Sequence, residues 1–192
     1  ILKKYSIYGD VQYDPNSGNS ELEPIAYLVG WYGPVDELKD SYNEYSLMSP
    51  ILNTDMKVED VYFIYRTSYI GKDNKQLKEA ILKYGSIASS VYSSYSGSSG
   101  RNLYSSETPY ADHAISIVGW DDFYSKNNFY GTNKPIDNGA YIIKNSWGES
   151  TGESGYQYVS YFDTSLGGVD LNSKVTSFSY AFPVKTYENY RD

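Results

Sequence analysis

Seven consecutive residues, Ala114-Ile115-Ser116-Ile117-Val118-Gly119-Trp120, put apolar side chains on both faces of an extended segment. A strand with one wet face alternates apolar and polar residues; this one is built to sit in the middle of a sheet. At seven residues it falls far short of the ~20 needed to cross a bilayer as a helix. The chain must therefore supply neighbours that cover the run on both sides. Its aliphatic reserve for doing so is thin. Leu, Ile, Val and Phe make up 41 of 192 residues, close to the level at which chains remain disordered. The 24 Tyr and 3 Trp offset this, because large aromatic side chains bury much surface and can keep a polar tip in water.

The flanking segments suggest how the cover is built. Ser20 with Glu23 forms a capping-box pattern, and Leu22, Ile25, Ala26, Val29 and Tyr32 follow at helical spacing until Gly33-Pro34. Residues 35–57 read as an irregular acidic surface stretch, and residues 58–69 as a strand rich in β-branched and aromatic side chains. A second helix is expected from a cap at Asp73 to a stop at Gly85, with Leu77, Ala80, Ile81 and Tyr84 as its apolar stripe. Residues 87–95 read as a strand. The serine-rich stretch 89–106 reads as a mobile surface loop. Residues 121–138 form a long polar loop, and 139–144, 155–161 and 175–182 read as further strands. Helices first and an antiparallel sheet later give an α+β layout. The division expected along the chain is 1–72 and 73–192.

Composition narrows the function. The net charge of −8 leaves no electrostatic footprint for nucleic acid and disfavours anionic membrane surfaces. With no Cys, the chain holds no disulfide, thiolate zinc site or cysteine nucleophile. One His excludes a multi-histidine metal site. Asp121, Asp122 and Asp137 are oxygen donors of the kind calcium takes, although solvated loop charges account for them as well. Tyr-rich surfaces also suit carbohydrate stacking, but the Tyr residues are spread over the whole chain and not clustered.

His113 stands immediately before the apolar run, and two readings apply: a strand-end histidine without a role, or a base. Ile142-Ile143-Lys144-Asn145-Ser146-Trp147-Gly148 ends a strand on Asn145. An Asn amide can accept from an imidazole N–H, fixing tautomer and ring orientation while the other nitrogen stays available as a base. A neighbouring Trp can keep water from competing for that bond. One strand, a long loop and a returning strand between the two residues would bring them together. Taken alone, Asn145 is equally an Asx-turn residue.

Three blocks occur in order: Asp112-His113-Ala114-Ile115, Asn145-Ser146-Trp147-Gly148 and Gly152-Glu153-Ser154-Gly155-Tyr156. Together they resemble the C-terminal half of a papain-family cysteine peptidase. Gly18-Asn19-Ser20 before a helix ending at Tyr32-Gly33-Pro34-Val35 more weakly resembles that family's substrate-binding glycine loop. Gly119-Trp120-Asp121-Asp122, a long loop, then Asn138-Gly139-Ala140-Tyr141 is most similar to bacterial and archaeal secreted or surface members.

The resemblance implies a papain-like two-lobe fold of the α+β class, with the sheet or barrel lobe complete and the helical lobe incomplete. By it, His113 is the general base and ion-pair partner of a thiolate, Asn145 orients its ring, and Trp147 with Ser146 supports the pair. Gly18, Asn19 and Ser20 bind extended peptide by strand-like hydrogen bonds. Leu22 and Ala111 border the specificity pocket, and Asp112 lines the cleft. The substrate is peptide or protein, no cofactor or metal is needed, and an extracellular or cell-surface location follows. Thr151 stands where the family usually has a second Trp, so leaving-group-side binding is expected to be weaker or different.

The nucleophile is the departure. In this family the Cys lies roughly 130–150 residues before the His and Asn, which here falls before Ile1. The expected partner is an N-terminal Cys-bearing segment or a second chain. The competing expectation is a pseudo-peptidase that binds peptide or protein without cutting. A transglutaminase-like enzyme fits less well, since its third residue is usually Asp and it lacks the Asn-Ser-Trp-Gly block.

Overall fold

The apolar run becomes the middle strand of a seven-stranded sheet. In the computed structural model, which describes residues 22–41, 54, 56–64, 75–93, 100, 102–106, 110–130, 133–167 and 179–187, the chain forms two compact units. One comprises Ile1–Val61 with Phe182–Asp192, the other Tyr62–Ala181.

The second unit carries the large sheet. Its strands are β2 (Tyr62–Ile64), β3 (Ile87–Val91), β4 (Asn102–Leu103), β5 (His113–Asp121), β6 (Ala140–Lys144), β7 (Tyr156–Ser160) and β8 (Ser179–Ala181). They lie in the order β2-β8-β3-β5-β6-β7-β4, with β5 fourth of seven. Ile87 pairs with Ile117 and Ser89 with Ile115 across β3 and β5, and Ile117 with Ile143 across β5 and β6. Side chains directly opposite share a face, so Ile87, Ile117 and Ile143, all fully buried, form a cross-strand layer. Val91, Val159, Leu103 and Leu166 extend it, and Phe129, Tyr141 and Tyr161 close it. Tyrosine thus serves as core material, with Tyr141 and Tyr161 meeting edge to face at 4.8 Å.

Helix α2 (Lys75–Tyr84) covers this sheet with the expected stripe, since Leu77, Ala80 and Ile81 are its buried residues. Gly85 ends it: its N–H donates to the Ile81 carbonyl at φ +85°, a conformation that favours glycine. Lys78 reaches from α2 to the Asp122 carboxylate at 2.5 Å. Tyr161 Oη–H donates to the same Asp122 oxygen at 2.9 Å.

The first unit contains α1 (Leu22–Val29) and a two-stranded antiparallel pair of β1 (Met56–Val58) and β9 (Val184–Thr186). Pro24 falls in the first turn of α1, where no intrahelical N–H is required. Trp31 follows at φ +63°; its carbonyl accepts from Lys57 Nζ at 2.7 Å and its ring lies 5.6 Å from that of Tyr187.

Several expectations are corrected. The stretch 89–106 is not all surface loop: Ser89, Ser90 and Val91 are buried in β3, inside the sheet, and Asn102, Leu103, Tyr104 and Ser105 are buried at and just after β4, its edge strand. Serine composition signalled flexibility, but small hydroxyls fit between packed strands. The sheet is not purely antiparallel, because β4 pairs with β7 in parallel. The strand expected over 58–69 is broken. Asp60 bonds the Val61 N–H with its own side chain, and the flanking strands β1 and β2 join different sheets. β1 begins inside the stretch read as irregular, and β9 was not anticipated. Among the described residues no pairing joins β2 to β4, the first and last strands of that order. The caps at Ser20 and Asp73 lie outside the described residues.

Candidate active site

Strand register brings the two expected residues to one end of the sheet. β5 begins at His113, and its antiparallel partner β6 ends at Lys144, paired with Ser116. Asn145 therefore leaves the sheet beside the start of β5. A β-bulge sits between Ile117 and Gly119, where the partners step from Ile143 to Ile142. Such a bulge shifts by one position every residue nearer the strand end, His113 included. The exit of β6 is fastened by Asn145 N–H donating to the Gly155 carbonyl at 3.0 Å. The turn 148–155 is closed by Gly152 at φ +62°, where a Cβ would lie 2.2 Å from the Tyr156 carbonyl oxygen. Only glycine fits there.

His113 Nε2 lies 2.8 Å from Asn145 Oδ1. The same oxygen accepts from the Ser146 backbone N–H at 2.7 Å. A backbone N–H can only donate, so the amide atom facing it is the oxygen. The imidazole nitrogen facing that oxygen must then carry its proton. Among the described residues Nδ1 makes no hydrogen bond. In the neutral form of the ring, this contact puts the proton on Nε2 and the lone pair on Nδ1, the arrangement a general base requires.

Trp147 stacks on the imidazole, with ring centroids 4.6 Å apart and planes 29° from parallel. It is 47% exposed, whereas Asn145 is 7% exposed, so the indole roofs a bond whose acceptor is buried. Thr151 Oγ1 donates to the Trp147 carbonyl at 3.1 Å, bracing the turn that holds the indole. Ser146 contributes its backbone N–H, and its side chain is exposed.

The other residues singled out in the sequence divide into two groups. Ala111, half-buried, and Asp112, exposed, lead into β5. Asp112 Oδ1 accepts from Ser93 N–H at 2.7 Å and from Ser93 Oγ–H at 3.0 Å. Leu22 is the first residue of α1. Gly18, Asn19 and Ser20 lie outside the described residues. Asp121, Asp122 and Asp137 do not converge: Asp121 bonds Phe123 N–H, Asp122 holds Lys78 and Tyr161, and Asp137 bonds Asn138 N–H. Among the described residues no cluster of His, Cys, Asp and Glu has the arrangement of a metal site.

Two residues escaped the sequence reading. Gln157 is fully buried; its Oε1 accepts from Asn145 Nδ2 at 2.5 Å and its Nε2 donates to the Gly100 carbonyl at 2.5 Å. A signal for it existed: Gln157 takes an inward strand position alternating with Val159, where an apolar residue is the rule. Asp163 is likewise fully buried. Its carboxylate accepts from the N–H groups of Ser105, Ser165 and Leu166 and from Ser165 Oγ–H. It ties the end of β4 to the turn after β7.

A model of the papain family cysteine proteases matches residues 24–176. The chain belongs to the papain family. The clostridial cysteine protease Cwp84 after propeptide cleavage aligns with a TM-score of 0.73 and 32% identity, over 91% of this chain and 43% of its own. A structure of the protease and lectin-like domains of Cwp84, described as a surface layer associated protein of Clostridium difficile, gives 0.71 and 32% over 91% and 38%. Bromelain from Ananas comosus shares the fold at a TM-score of 0.59 and 16% identity, over 89% of this chain and 71% of that one. A cysteine protease of Blomia tropicalis is 40% identical over 67 residues, 35% of this chain and 16% of that protein. This papain-family chain thus spans less than half the length of the Cwp84 chains, and it contains no cysteine. The expected papain-like α+β fold, sheet-rich with an incomplete helical lobe, stands.

Proposed function

We propose that this chain supplies the base-bearing lobe of a papain-like cysteine endopeptidase, whose nucleophilic Cys comes from an N-terminal segment or a second chain. The observation that carries this reading is the 2.8 Å contact of His113 Nε2 with Asn145 Oδ1 beneath the Trp147 ring. Packing alone does not call for an imidazole with one nitrogen pinned by a buried amide and the other available.

In this reading His113 Nδ1 takes the thiol proton, giving a thiolate–imidazolium pair. The thiolate sulfur attacks the scissile carbonyl carbon. The imidazolium gives its proton to the departing amine nitrogen as the C–N bond breaks, leaving a thioester. His113 then takes a proton from water, whose oxygen displaces the sulfur and releases the acid. Asn145 holds the ring in the required tautomer throughout. Gly18, Asn19 and Ser20 line extended substrate, with Leu22, Ala111 and Asp112 at the specificity side. An extracellular or cell-surface location is supported by the description of Cwp84 as surface-layer associated. Among the described residues no helix is long and apolar enough to cross a membrane.

The second reading, a pseudo-peptidase that binds peptide without cutting, is favoured by one observation: none of the 192 residues is Cys. Intact masses of the protein isolated from its natural source, taken under denaturing conditions, separate the two. A Cys-bearing segment, continuous with this chain or accompanying it, is expected, and it should react with a thiol-directed electrophile only while His113 is present. A lone 21.7 kDa species that takes no label would overturn the peptidase reading in favour of peptide binding.

A further inference from the structure

We propose that Gln157 and the Gly100 carbonyl are the positioning elements that set which nitrogen of His113 carries the proton, acting through Asn145. The inference rests on the base role given to His113 above and extends it to residues outside the His-Asn-Trp constellation.

The bonds form one chain from a backbone carbonyl to the imidazole. Gln157 Nε2 donates to Gly100 O, Asn145 Nδ2 donates to Gln157 Oε1, and His113 Nε2 donates to Asn145 Oδ1. Its polarity is set at both ends by groups with no choice of role. Gly100 C=O can only accept, so Gln157 must present its NH₂ there and its oxygen to Asn145. Ser146 N–H can only donate, so Asn145 must present its oxygen to it and its NH₂ to Gln157. The two constraints agree, and the agreement leaves His113 a single matching tautomer.

Burial makes the arrangement firm. Gln157 is 0% exposed and Asn145 7%, so neither amide can exchange its partner for water, and a flipped amide would leave donors facing donors. The strand pairing supports it: β4, two residues after Gly100, pairs in parallel with β7, which carries Gln157. That pairing holds the end of the serine-rich stretch against the relay. An apolar residue at 157 would satisfy the fold of β7 equally well and leave Asn145 Nδ2 without an acceptor. Gln157 is therefore a positioning residue, acting on His113 through Asn145.

His113 is the only histidine of the chain, so its imidazole nitrogens are identified by composition in a ¹⁵N NMR spectrum of the ¹⁵N-histidine-labelled 192-residue chain. Wild type should show the neutral ring mainly as the Nε2–H tautomer. Gln157→Met, similar in shape but unable to bond at either end, should lower the ratio of Nε2–H to Nδ1–H about fivefold, the equivalent of one hydrogen bond. Gln157→Glu should restore it, because a carboxyl oxygen accepts from Asn145 Nδ2 in either charge state. A folded Gln157→Met protein with the wild-type ratio overturns the proposal, as does a wild-type ring mainly in the Nδ1–H form. Should Gln157→Met fail to fold, the wild-type carboxamide protons decide. Those of Asn145 and Gln157 should exchange with water far more slowly than exposed Asn and Gln side chains, and equal rates overturn the relay. None of these readouts requires catalysis, so they can fail while thiol labelling still supports a peptidase, or succeed when it does not.

Discussion

The sheet-bearing unit and the unit formed by α1, β1 and β9 are held together by different forces. In the former, isoleucines from three adjacent strands meet with no exposure, and α2 and several tyrosines seal them. In the latter, Val58 is the one buried apolar side chain among the described residues. Its contacts are ring pairs such as Tyr27 with Tyr32 and Trp31 with Tyr187, together with exposed polar links such as Glu59 with Lys185 and Tyr187. Interior aliphatic packing stabilises each side chain by about 1.5–3 kcal/mol, whereas exposed ion pairs contribute about 0–1 kcal/mol. The lesson concerns placement. The His113–Asn145 pair sits on the stiff unit, where strand register locates a side chain closely; of the described residues expected to hold substrate, Ala111 and Asp112 lie on that same unit, and Leu22 begins α1 in the lightly packed one.

The largest test of this contrast is Ile117→Ala. It removes a fully buried side chain from the centre of the sheet and should cost about 3–4 kcal/mol in urea denaturation, a large part of the stability of an ordinary domain. A loss under 1 kcal/mol would mean that the sheet is not the stable region. Asp163→Ala comes next. It strips the acceptor from four buried donors, and a loss of at least about 3 kcal/mol is expected. Asn145→Ala sharpens the comparison on function. In the complete enzyme it should lower kcat about 10²-fold with little change in KM, since a misplaced base loses its alignment while the substrate contacts remain. Unchanged turnover would sink the assignment.

On the other unit, Trp31→Ala should cost only about 1 kcal/mol, the worth of a half-exposed ring contact. A loss matching that of Ile117→Ala would erase the contrast. The smallest effect concerns pH. Hydrogen bonding from Lys78, and secondarily from Tyr161, holds the Asp122 carboxyl below the ordinary carboxylate range in spite of some burial. A lowered folded-state pKa means stability that is present near neutrality and lost as pH falls through that value. Asp122→Asn should flatten the acid limb of the stability profile by less than about 1 kcal/mol, because the carboxylate is half-exposed and screened.

Much of the site was legible before any coordinates. Ala114–Trp120 read as the middle strand, α2 had its stripe and its glycine stop, and His113 with Asn145 could be paired because their spacing allowed a strand to leave and return. The serine-rich stretch misled, since local composition cannot tell a flexible serine from one wedged in a sheet. Gln157 went unnoticed because its polar side chain at an inward strand position becomes telling only once its partners are known, and Gly100 lies 57 residues away.

What the sequence by itself determined was therefore the set of local preferences: period, caps, turns and the residue types that chemistry demands. The tertiary structure alone decided the parallel pairing of β4 with β7, the return of β9 to β1, and the bond polarity that puts the proton of His113 on Nε2. Each depends on groups far apart in the chain meeting in a dry interior. There every donor must find an acceptor, and no residue's own propensity records which one it will be.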